Sequence, residues 1–295
     1  MSDEGLALRA LAYWSLLPLL GLPISIFARR HGSVFFIKRL IVWMVVVPLY
    51  LGAFYLGQHA LVALLAIGCL VGAWELARLR EPKSTNNVSQ AAALALLSTP
   101  WLAMAYLGWQ GFSFLALAAL LLPLAALRPL SASPPRWMPV AAALSLGAGI
   151  YFWAVVAGSA NGMRWLLLAY TVVTVNDMLS AVFGKFIKSP QPFPNLSPNK
   201  SMAGYLGGAL CGLGAGFILT PGFADIPLGT FVAVMLALVI LGNFGDLFAS
   251  WIKRGYGLKD FSRALGDMGG VLDRLDSLLP IGAALFIILP LMKAG

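Results

Sequence analysis

Apolar segments recur along the whole of this chain, and the short loops between them hold nearly all of its charge. No other feature limits the fold as tightly. Segments near 10–28, 38–57, 60–79, 90–107, 111–128, 138–157, 163–184, 204–221, 227–250 and 279–293 read as membrane spans. A crossing needs roughly 17–25 such residues, or fewer where it is short or re-entrant. Inside a bilayer each backbone amide must find its partner within the segment, so such stretches fold as helices. The expectation is an all-α, polytopic integral membrane protein with about ten transmembrane helices. Hydrophobic residues are 60% of the 295 and charged residues 11%, leaving no polar run long enough for a separate soluble domain.

Charge gives the orientation. With both termini outside, the inner loops collect 17 of the 20 basic residues, leaving Arg9, Arg164 and Lys293 outside. That distribution obeys the positive-inside rule. The net charge of +9 is therefore read as loop charge facing the cytoplasm, with lipid headgroups or phosphates as partners and no nucleic acid. The opening MSDEGLALRA lacks the basic start of a signal peptide, so the first apolar segment is expected to be retained. Cys69 and Cys211 lie far apart in apolar segments and make neither a disulfide framework nor a metal-ligand pair.

Residues 1–160 read as scaffold helices and 161–295 as the catalytic region of one membrane domain. The unusual feature of the first part is Glu75, an acid near the inner end of the third span. Such an acid is a functional candidate by default, but Arg78 lies one turn on and pairing with it is the reading favoured. The second part is different. Asp177 sits inside one span, and a proline-rich loop with Lys185, Lys188 and Lys200 follows. Glycines then recur at 204, 208, 212 and 216, a small-residue ladder suited to close helix packing. On the next span Asn243, Asp246, Ser250 and Lys253 share one helix face. Asp273 and Asp276 are three apart, so a helix there points both carboxylates one way and Arg274 another.

Carboxylates without nearby His or Cys are hard oxygen ligands, which suit magnesium better than zinc. Asp177, Asp246, Asp273 and Asp276 could hold two such ions, with Lys185, Lys200, Lys253, Arg254 and Lys259 facing phosphates. Taken singly, each basic residue at an inner helix end is first an orientation signal. The sequence contains no GxxxxGK[ST] loop and no GxGxxG.

The joint pattern resembles a known signature. Ser250-Trp251-Ile252-Lys253-Arg254, Lys259-Asp260-Phe261-Ser262, Leu265-Gly266 and Gly269-Gly270-Val271-Leu272-Asp273-Arg274-Leu275-Asp276 are similar, with their spacing, to that of the phosphatidate cytidylyltransferases, or CDP-diacylglycerol synthases. Gly245-Asp246-Leu247 resembles the family's GDL, and Ser197-Pro198-Asn199-Lys200-Ser201-Met202-Ala203-Gly204 its SPxKTxxG loop. Asp177 through Lys185 resembles the preceding acidic helix, and Ala73-Trp74-Glu75 is a weaker match.

The resemblance implies that the phosphate of phosphatidic acid attacks the α-phosphorus of CTP, giving CDP-diacylglycerol and pyrophosphate. It implies Mg²⁺, two ions of it, a homodimer, and an active site at the cytoplasmic ends of the C-terminal helices in the inner membrane. Carried over to this chain, Asp246, Asp273, Lys253 and Lys259 become the catalytic set. Lys200, Ser201, Ser250, Arg254, Lys185 and Arg274 bind substrate, and Asp246, Asp273, Asp276 and Asp177 hold metal. Three positions depart from the family pattern. Met268 stands where the family has histidine and can neither donate a hydrogen bond nor titrate. Ala203 replaces a Glu or Gln, and Asn176-Asp177-Met178 replaces Ala-Asp-Thr. Two other readings stay open: a catalytically silent relative that binds lipid or scaffolds other enzymes, and a transporter using the same intramembrane acids.

Overall fold

The computed structural model describes residues 35–79, 87–108, 110–126, 134–198, 200–266 and 269–294. Among these residues the chain is entirely helical, without a strand. In order come α1 (Phe35–Leu56), α2 (Gln58–Ala77), α3 (Asn87–Ser98), α4 (Pro100–Tyr106) and α5 (Ser113–Leu121). They are followed by α6 (Met138–Ala157), α7 (Gly162–Phe186), α8 (Met202–Ile218), α9 (Leu228–Gly255), α10 (Leu272–Leu275) and α11 (Leu279–Ala294). Six stretches are long and apolar enough to cross a membrane: Gln58–Ala77, Val88–Tyr106, Met138–Ala157, Gly162–Phe186, Leu228–Gly255 and Leu272–Met292. Three shorter apolar helices, Val45–Leu56, Ser113–Ala125 and Met202–Ile218, accompany them. Every expected span from 38–57 onward is thus helical, while the one at 10–28 lies outside the described residues.

Proline explains the one span that is broken. Pro100 has no N–H to continue the ladder, so the helix restarts there as α4. The Thr99 hydroxyl meanwhile donates back to the Ala95 carbonyl at 2.7 Å.

α6 is the buried axis, with Leu146, Ile150, Tyr151, Phe152 and Trp153 all but inaccessible. Its indole Trp153 Nε1 donates to the Leu278 carbonyl at 2.8 Å, tying the axis to the turn between α10 and α11. Leu206, Leu210 and Ile240, by contrast, are more than 60% exposed, as side chains facing lipid would be.

The glycine ladder of α8 packs against α7. A Cβ on Gly204 would lie 2.6 Å from the Ser180 carbonyl oxygen, and one on Gly212 2.7 Å from that of Val172. At Gly208 it would meet the Asn176 carbonyl and the Ser180 side chain. Backbone is met at each of these three steps, so the helices approach this closely only because the small face is continuous. α7 also meets α9, where a Cβ on Gly242 would touch Val173. α7 is thereby held between α8 and α9, and its C-terminal half carries Asn176 and Asp177.

Gly208→Ala should force the α7–α8 contact apart at a cost of about 1–3 kcal/mol. Thermal unfolding in detergent should show a lower midpoint. Gly214→Ala, whose Cβ would meet nothing within 4 Å, should leave the midpoint unchanged or raise it.

Candidate active site

The last turns of α9 supply the centre of the site. Lys253 projects from the C-terminal end of α9 and is buried, as are Asp273 and Asp276. Its ammonium donates to Asp273 Oδ1 at 2.6 Å and stands 3.6 Å from Asp276 Oδ2. The three-residue spacing therefore does point both carboxylates one way. Asp273 Oδ2 accepts from the backbone N–H of Phe261 at 3.0 Å and of Gly270 at 2.8 Å. Asp276 Oδ1 accepts from the Ser277 N–H at 2.8 Å. Ions removed from water cost several kcal/mol each unless their bonding capacity is filled, and here it is largely filled. Phe261 closes the group, with Lys253 Nζ 5.1 Å from its ring centre.

A second, more open group lies beside the first and is less deeply buried, although the Lys200 ammonium itself is shielded from solvent. Lys200 forms an ion pair with Asp246, the two side chains being 21% and 20% exposed. Burial alone would push the Lys200 ammonium toward deprotonation, but the carboxylates of Asp246 and Asp177 outweigh it and raise its pKa. It stays cationic at neutral pH. Asn176 Nδ2 donates to Asp177 Oδ1 at 3.2 Å and to Asn243 Oδ1 at 3.1 Å, fixing α7 to α9 at the level of the acids. The two groups meet across a cavity of about 20 Å³ whose wall includes Tyr170, Thr174, Asp177, Asp273, Arg274 and Ser277. Arg274 acts electrostatically on Asp177, Asp246 and Asp276. Acids from α7, α9 and the α10 region thus share one network.

The remaining sequence candidates fall around it. The Ser201 hydroxyl caps α8, accepting from the Gly204 N–H at 3.3 Å, and Ser250 is buried. Arg254 donates from Nε to the Leu196 carbonyl at 3.2 Å and from Nη1 to that of Leu258 at 2.8 Å, bracing the loop that presents Lys200. Lys185 is exposed on the last turn of α7, and Lys259 on the loop that follows α9. Met268 lies outside the described residues.

Sequence reasoning missed that Asn176 and Asn243 pair, although Asn176 adjoins Asp177 and Asn243 stands one turn before Asp246. It also misplaced the partner of Glu75. That carboxylate is fully buried and bonds the chain around Val271, not Arg78. The Arg78 guanidinium lies over the Trp74 ring at 3.7 Å.

For a metal, the open group supplies oxygen donors only. Asp177 and Asp246 offer carboxylates, and the buried Asn176 Oδ1 accepts no hydrogen bond among the described residues. No cluster of three or more His, Cys, Asp or Glu side chains capable of enclosing an ion occurs among the described residues. An open pair of carboxylates suits Mg²⁺, which takes one or two and completes its shell with water and substrate phosphate.

Comparison with known proteins agrees in its outline. The family model described as the cytidylyltransferase family matches residues 37–292. A phosphatidate cytidylyltransferase of Staphylococcus haemolyticus is 34% identical over 143 residues, 48% of this chain and 55% of that protein. Proteins of the same name from Staphylococcus epidermidis and Staphylococcus aureus are 32% and 34% identical over the same length. The chain spans about half the length of the curated relatives it matches.

The two ion pairs should differ sharply in worth. Lys253→Met strands two buried carboxylates and should cost about 3–5 kcal/mol. Lys200→Met breaks a partly solvated pair and should cost about 1 kcal/mol or less. Thermal unfolding of both variants in detergent checks the order.

Proposed function

This chain belongs to the cytidylyltransferase family, and from that membership we propose that it transfers CMP from CTP to a lipid phosphate. Phosphatidic acid is the proposed acceptor, and CDP-diacylglycerol and pyrophosphate are the products. The observation that carries the reading is the open group, Lys200 paired with Asp246 beside Asp177 at the end of two apolar helices. A water-soluble nucleotide and a lipid headgroup can meet only at such a boundary.

In the reaction an ionised oxygen of the lipid phosphate forms a bond to the α-phosphorus of CTP. The bond from that phosphorus to the oxygen it shares with the β-phosphate breaks, and pyrophosphate leaves. The nucleophile already carries charge, so no strong general base is needed. The work is positioning and offsetting charge, as in other phosphoryl transfers. Asp246 and Asp177 would hold Mg²⁺, with Asp276 adding charge from the buried side. A bound Mg²⁺ would offset the triphosphate's negative charge. Lys200 and the exposed Lys259 and Lys185 take the phosphates. Lys253 and Asp273 hold α9 and α10 at the spacing this requires, Ser250 and Ser201 orient the backbone around them, and Arg274 keeps Asp177 in place. The cytoplasmic leaflet of the inner membrane, where CTP is available, is the proposed setting, with residues 1–160 as scaffold.

The acceptor's tail has a place to go. An apolar cavity of about 110 Å³ lies between α6, α9 and α11, walled by Leu146, Phe244, Phe248, Ile252, Phe261 and Leu279. Asp276 is its one charged lining residue among those described. An acyl chain there would leave the phosphate next to the acids.

Purified protein in mixed micelles with CTP, Mg²⁺ and phosphatidic acid should release pyrophosphate, and Asp246→Asn should reduce release to background. Failure of the wild type with every lipid phosphate tried would overturn the proposal.

A further inference from the structure

Glu75 has no place in the reaction just described, yet it is among the most expensive groups in the molecule. It is a carboxylate with no exposed surface, on the inner turn of α2 in the scaffold half. No ion pair reaches it among the described residues. Its bonding capacity is met from one direction. Oε1 accepts from the Ser262 hydroxyl at 2.7 Å and from the Val271 N–H at 2.8 Å, and Oε2 accepts from the Leu272 N–H at 2.8 Å. The fit leaves no slack, since a Cβ on Gly270 would collide with the carboxylate.

These donors are not arbitrary positions. Val271 and Leu272 immediately precede Asp273, and Ser262 follows Phe261, whose N–H Asp273 itself accepts. Both ends of the loop that leaves α9 and returns at α10 are gripped by two carboxylates, Asp273 from within the loop region and Glu75 from outside it. The loop needs such a grip. Gly257, Gly266 and Gly269 turn it with positive φ, and Phe261 is its main apolar anchor. Between those anchors stand the exposed Lys259 and Arg263.

We propose that Glu75 is a positioning residue, a clamp by which the scaffold half sets the register of the 256–272 loop. It thereby fixes where Asp273 meets Lys253 and where Lys259 is presented. The part concerning Lys259 rests on the proposed cytidylyl transfer, but the clamp itself does not. A residue that only filled space would be replaced without loss by its isostere. A clamp would not, because the side-chain amide introduced by Glu75→Gln would set an N–H against one of the donors it must accept from.

Limited trypsin digestion of the full chain in detergent tests the clamp. In Glu75→Gln, cleavage at Lys259 and Arg263 should quicken about tenfold, the scale of losing a hydrogen bond to a charged group. Cleavage at the exposed Lys188, on another loop, should keep its wild-type rate. Equal acceleration at both loops, or none at either, overturns the proposal. If Glu75→Gln does not fold, Ser262→Ala carries the test. It removes a single donor, so a smaller acceleration confined to Lys259 and Arg263 supports the clamp, and wild-type cleavage overturns it. Where the wild type releases pyrophosphate, Glu75→Gln should also raise the KM for CTP about tenfold with kcat little changed. An unchanged KM overturns the positioning role. A wild type without activity removes the proposed reaction, and the digestion alone then decides the clamp.

Discussion

The buried ammonium of Lys253 between Asp273 and Asp276 holds the end of α9 to α10 and the start of α11. None of these charges could remain away from water alone, so each element is obliged to stay where the others are. The neighbouring elements are arranged around that obligation. Asp273 gathers the backbone N–H groups of Phe261 and Gly270, Trp153 fixes the α10–α11 turn to the axis of the bundle, and Gly245 lets α9 lie against the Asp276 carbonyl.

With the closed group bearing the geometry, the more exposed one is where the proposed reaction would take its ligands. Lys200 and Asp246 are about one-fifth exposed, whereas Lys253 and Asp273 are 7% and 4% exposed. That difference separates charges that can exchange partners from charges that cannot. The Lys200 ammonium resting on Asp246 also keeps that carboxylate from standing unpaired. α7 and α9 run 25 and 28 residues, longer than the roughly 20 that a crossing needs.

Much of this could be read from the chain itself. Hydropathy set the helices, because the bilayer permits little else, and the four-residue glycine ladder announced a close helix contact without naming its partner. Helical spacing put Asn243, Asp246 and Lys253 on one face and turned Asp273 and Asp276 together. What could not be read were partners chosen across long distances in sequence. Lys253 shares a helix face with Asp246, about two turns away; tertiary packing gives it Asp273 and Asp276 and leaves Asp246 to Lys200. Glu75 met the same fate, its neighbour Arg78 stacking on Trp74 while the carboxylate turned to amides almost two hundred positions on. Backbone N–H groups carry no signature in a sequence, so carboxylates that bind them are hidden until the fold is known. The bonds of Arg254 to the Leu196 carbonyl and of Ser201 to the Gly204 N–H were hidden for the same reason.

The central claim is that the open pair of acids on α7 and α9 receives a nucleotide with its cation. Thermal unfolding of the detergent-solubilised protein with and without Mg²⁺ and CTP measures this directly, since a ligand that binds the folded state must stabilise it, by about 2.7 kcal/mol at a hundred times its Kd. The account predicts a raised midpoint when both are present, a smaller rise with CTP alone, and no rise in Asp246→Asn. A wild-type midpoint indifferent to Mg²⁺ and CTP, or an equal rise in Asp246→Asn, would contradict it.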